Sequence, residues 1–117
     1  MKRILIAIPL AATLALACFG LAHAGQANHV AQAREHVNAA VTQGQTGDSH
    51  ALVQHAQTAL EHARMAYQEK PVPDLEKAIK SLEESITQGK AGHADKATEH
   101  AKEAVEHINA VKGALGG

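Results

Sequence analysis

Residues 41–62 read VTQGQTGDSHALVQHAQTALEH, and residues 86–107 read ITQGKAGHADKATEHAKEAVEH. The two stretches align at an offset of 45 positions, glycine on glycine and histidine on histidine. Val41-Thr42-Gln43-Gly44 matches Ile86-Thr87-Gln88-Gly89, and Gly47 matches Gly92. Each copy runs through a short glycine loop into a segment of helix-forming residues, so each marks the turn of a helical hairpin. Lys70-Pro71-Val72-Pro73 separates the copies, and its two prolines cannot continue a helix from the residues before them.

Outward from the loops, apolar residues recur at helical spacing. They are Val30, Ala33, Val37, Ala40 and Val41 in the first segment, and Leu52, Ala56, Ala59, Leu60 and Ala63 in the second. Leu75, Ile79, Leu82 and Ile86 follow in the third, then Ala97, Ala101, Ala104, Val105, Ile108 and Val111 in the fourth. Asp48 and Asp74 stand where N-caps are expected. Short loops make sequential helices antiparallel neighbours. The expected fold is all-α, an antiparallel up-down four-helix bundle made of two similar hairpins. Its core is mostly alanine, and Tyr67 is the only aromatic residue beyond position 24.

The chain opens MKRILIAIPLAATLALACFGLAHAGQ. A basic start at Lys2 and Arg3, an apolar run from Ile4 and the small-x-small site Ala22-His23-Ala24 predict a secretory signal over residues 1–24. A lipoprotein cut before Cys18 and a retained anchor are the weaker alternatives. Residues 25–117 then form one histidine-rich domain. Without Lys2 and Arg3, nine basic residues face twelve acidic ones. That balance argues against nucleic acid. The only cysteine, Cys18, leaves with the signal, so no disulfide and no thiolate ligand is expected.

The histidines of residues 25–117 are His29, His36, His50, His55, His62, His93, His100 and His107. All but His50 fall in runs spaced by seven: 29/36, 55/62 and 93/100/107. Seven residues drift only about 20° around an ideal helix, so each run is a stripe. The stripe lies about 80–90° from the apolar face, on the flank of the core. Neighbours within a stripe are about 10.5 Å apart along the axis, too far to share one ion. Partners must come from another helix, or from Glu103 one turn from His100 and His107.

Residues equidistant from the first loop are His36 with His55, and His29 with His62. In the second hairpin His100 lies level with Ser81, and His107 with Asp74. Flank residues of antiparallel neighbours face each other only at alternate grooves. The histidines should therefore meet between helices 1–2 and 3–4, or between helices 2–3 and 4–1. A lone histidine on a helix is ordinarily just solvated. Eight of them, seven in register, point instead to divalent metal ions held by His29, His36, His50, His55, His62, His93, His100 and His107, with Asp74 and Glu103 as carboxylate ligands.

The signal, the two glycine loops and the units Gln54-His55-Ala56 to Glu61-His62 and Glu99-His100-Ala101 to Glu106-His107 resemble the small metal-binding proteins. The resemblance spans essentially all of residues 25–117. It implies a periplasmic, histidine-rich four-helix bundle that binds several divalent ions, copper above all, for buffering or scavenging. Asp74, Ser81, Gln43 and Gln88 stand where that family tends to carry histidine, which implies fewer sites.

Imidazole ligands suit Cu(II), and also nickel, zinc and cobalt, with affinity peaking at copper. Met65 alone offers sulfur, which makes a poor Cu(I) site. No enzyme is expected: Cys-x-x-Cys-His, the Glu-x-x-His of di-iron bundles and nucleophile motifs are all missing from the sequence. The chain is expected to be a monomer with metal ions as partners, and no membrane contact after signal cleavage. The competing reading is a small periplasmic stress protein or chaperone with acid-sensing histidines. Few large apolar side chains are available for such a protein to grip clients.

Overall fold

The structure, a computed structural model, describes residues 25–114, with side chains described as far as Val111. The signal expected over residues 1–24 lies outside the described residues. Four helices follow one another: α1 (Gly25–Gln45), α2 (Ser49–Glu69), α3 (Pro73–Lys90) and α4 (Ala94–Ala114). Each packs on two neighbours, α1 on α2 and α4, and α3 on α2 and α4, with only a thin diagonal contact between α2 and α4. This is the four-helix bundle of two hairpins, and no strand occurs among the described residues. None of these helices is long and apolar enough to cross a membrane.

Both hairpins turn in the same way. Gly47 and Gly92 adopt left-handed φ values of 84° and 80°. Asp48 N–H donates to Gln43 O at 3.0 Å, and His93 N–H to Gln88 O at 2.9 Å. The long bond across a left-handed glycine satisfies carbonyls left over at the helix end. Asp48 then caps α2, its carboxylate accepting from Ala51 N–H at 2.9 Å. Asp74 does not cap α3. The preceding Pro73 is already helical, because its fixed φ suits a first helical position, so the cap is Val72 and Asp74 falls in the first turn.

The core holds almost every apolar residue expected of it, with Val41, Ile79 and Val105 at its margin. Val53, Ala66 and Ala78 join it. Alanine lets the helices approach closely, and the loop-end glycines take this furthest. A Cβ on Gly44 would overlap Thr98 Oγ1 and Leu52 Cδ1, and one on Gly89 would overlap Val53 Cγ2. Buried polar groups are paired: Ser85 Oγ donates to Ala97 O at 2.7 Å. At the open end of the first hairpin, Gln26 Nε2 donates to Ala66 O (3.0 Å) and Lys70 O (2.6 Å), tying the start of α1 to the end of α2.

The two seams between hairpins carry arginine. Arg34 Nε donates to Asn109 Oδ1 across α1/α4 at 3.0 Å. Arg64 Nη2 donates to Glu83 Oε1 across α2/α3 at 2.6 Å.

Candidate metal centre

Histidine occupies the other two grooves, those inside the hairpins. Of the two arrangements left open by the stripes, the structure adopts convergence at α1/α2 and α3/α4. In the first groove the equal-height pairs sit ring against ring. His29 and His62 have ring centres 5.5 Å apart, His36 and His55 5.9 Å. His36 also stacks on His62, at 6.1 Å and nearly parallel. The four rings form one zigzag, His29–His62–His36–His55, and the inner two each belong to two pairs. All four are half-buried, held at the edge of the alanine core by the flank position of the stripe.

His29 Nδ1 and His62 Nδ1 lie 3.2 Å apart. One nitrogen donates its proton there and the other accepts it with its lone pair. Metal–nitrogen bonds of 2.0–2.1 Å to two such atoms would enclose an angle of about 100°, so an ion fits where the shared proton lies. The other pairs need a modest turn of the rings. Two imidazoles on one ion have centres about 5–6 Å apart, which the zigzag already provides.

Burial lowers the pKa of His62 below its usual 6.5. Its neighbours His29 and His36 lower it further, against a raising influence of Glu61. A ligand imidazole must be neutral, so the most crowded ring is also the one most ready to coordinate. Glu69 Oε1 lies 3.7 Å from His29 Nε2, on the far side of the ring from His62. A carboxylate there orients the ring and favours the tautomer that leaves Nδ1 toward the pair.

The second groove is built differently. His100 Nδ1 lies 3.2 Å from Glu103 Oε2 on its own helix and 3.2 Å from Glu84 Oε2 on α3. One ligand atom from each residue lies within 4.8 Å of the others, close enough to surround a cation.

The remaining expected residues stand apart. His93 immediately precedes α4, where its Nδ1–H donates to Gln88 Oε1 at 3.0 Å. His50 is exposed beside Gly89, Lys90 and Gly92. His107 and Asp74 are half-buried, and among the described residues neither makes a side-chain hydrogen bond or ion pair. Met65 is exposed.

Two groove residues escaped the sequence reading. Glu69 sits seven residues after His62 and continues the 55/62 stripe, so the heptad could have found it. Glu84 lies one turn beyond Ser81, the residue level with His100, and counting one turn either side of equal height would have found it.

The chain matches the small metal-binding protein family over residues 2–111. It belongs to that family. A search of the curated proteins finds no match. Membership in the small metal-binding protein family makes metal ions the ligands of this bundle. The two convergent grooves bring together ring nitrogens and carboxylate oxygens, donor atoms of the kinds such ions take.

Proposed function

We propose that the protein is an exported, periplasmic reservoir for divalent transition metals, Cu(II) before nickel, zinc and cobalt, that buffers or scavenges them as a monomer and catalyses no reaction. One observation carries this reading: four imidazoles in a single open groove, each within reach of the next. Nitrogen donors without thiolate favour Cu(II) over Cu(I), and the divalent affinity order peaks at copper. The signal-like residues 1–24 support export.

The zigzag suits buffering. Three adjacent pairs share four rings, so the groove holds at most two ions by ring pairs. These are one on His29/His62 and one on His36/His55. A single ion can also sit on His62/His36 and move to either side by exchanging one ring at a time. Half-exposed ligands let ions enter and leave without unfolding. Client binding as a stress protein has little to rest on, since Met65 is the one large apolar side chain exposed among the described residues.

The test is a competition titration of the protein, freed of residues 1–24, against chelators of known Cu(II) affinity. The doubly substituted His29→Asn/His55→Asn protein should keep one strong site, on the inner pair. The His36→Asn/His62→Asn protein should lose both. Equal Cu(II) binding by the two variants would defeat the reading.

A further inference from the structure

The α3/α4 groove differs in chemistry from the zigzag. Glu84, His100 and Glu103 present two carboxylate oxygens and one imidazole nitrogen, whereas the four-histidine groove presents four imidazoles with one carboxylate, Glu69, at its end. We propose that this trio is a separate site for an oxygen-preferring divalent ion of the Mn(II) or Fe(II) type, held alongside copper rather than in its place. The proposal rests on the imidazole groove being the copper site.

Both carboxylates already converge on the same atom, His100 Nδ1, at 3.2 Å from two different helices. The ring nitrogen donates its proton to Glu103, with Glu84 Oε2 equally near, and an ion would take that proton's place. Glu103 is preset by its position one turn along α4, while Glu84 reaches across from α3, so the ligand set exists only in the folded hairpin. His100 is 29% exposed and the glutamates 45% and 54%. A bound ion thus keeps the remaining coordination positions open to water. Hard, six-coordinate ions prefer such partly hydrated, oxygen-rich surroundings. The single imidazole makes the trio a poor site for Mg(II) or Ca(II), which take oxygen ligands, and suits Mn(II) and Fe(II).

Copper would outcompete Mn(II) at the trio if it were the only site available. It is not the only site: two imidazoles per ion in the α1/α2 groove attract Cu(II) more strongly than one imidazole and two carboxylates. Up to the capacity of that groove, copper is drawn away and the trio stays free for the harder ion.

Mn(II) itself is the probe, because the sharp electron paramagnetic resonance signal of the hydrated ion is lost when it binds. The protein is titrated with Mn(II), alone and after one and two equivalents of Cu(II). One Mn(II) should bind in all three cases. Glu84→Gln and Glu103→Gln should each weaken it about tenfold or more, and His36→Asn/His62→Asn should leave Mn(II) binding unchanged when no copper is present but let the first equivalent of Cu(II) displace it. Both glutamates lie on solvent-facing helix surface, so these variants keep the fold. Failure to bind Mn(II), indifference to either glutamine, or release of Mn(II) from the unsubstituted protein by the first equivalent of Cu(II) would each overturn the proposal. If the copper reading fails instead, it does so separately, through Cu(II) affinity that ignores the zigzag histidines.

Discussion

His62 is the residue on which the α1/α2 groove turns. It touches His29 and His36, and its neutrality follows from burial and from those neighbours. Its folded pKa lies below the unfolded value near 6.5. Above that pH neither state is protonated and the group has no effect on stability. As pH falls below about 6.5 the unfolded chain takes up the proton first, so stability declines until the folded pKa is passed. Urea midpoints measured from pH 8 to pH 5 should fall over the acid half of that range, and His62→Asn should flatten the decline. Copper affinity falls in the same direction, since protons and metal compete for the same lone pairs. The stripes and their level-matched pairs were legible because a heptad fixes both angle and height. The shift at His62 was not, because it depends first on burial in the packed groove and then on the rings of His29 and His36.

The helices meet closely at the loop end, and the helix scale is where substitutions should cost most. Gly44→Ala places a methyl group against Thr98 and Leu52 and should destabilise the bundle by about 1–3 kcal/mol. Asp48→Ala removes a satisfied cap and should cost about 1 kcal/mol. Chemical denaturation of each variant measures both. Helix number, order and inner faces followed from apolar period and loop glycines, since those features act locally. The start of α3 did not: Asp74 looked like a cap, and Pro73 had already taken the first helical position. Nor did the choice of groove. Flank stripes permit two arrangements of the bundle equally well, and only the packing of one hairpin on the other selects between them.

The whole molecule separates its charges by groove. Arginine bridges the seams between hairpins, and histidine with glutamate lines the grooves within them. An ion bound only by the folded hairpin stabilises it by mass action, about 2.7 kcal/mol when free metal is a hundredfold above Kd. For a chain of this size that raises the melting temperature on the order of 10 °C. A thermal scan with and without Cu(II) should show the rise, and His36→Asn/His62→Asn should remove most of it. Because Arg34 and Arg64 set guanidinium charge at the seams, no cation is welcomed where the two halves join. On the proposed function, cargo is clasped inside each half and not riveted across the middle. On that reading capacity goes with each hairpin separately, four rings in the first and one ring with two carboxylates in the second, so either half could be emptied without disturbing the other.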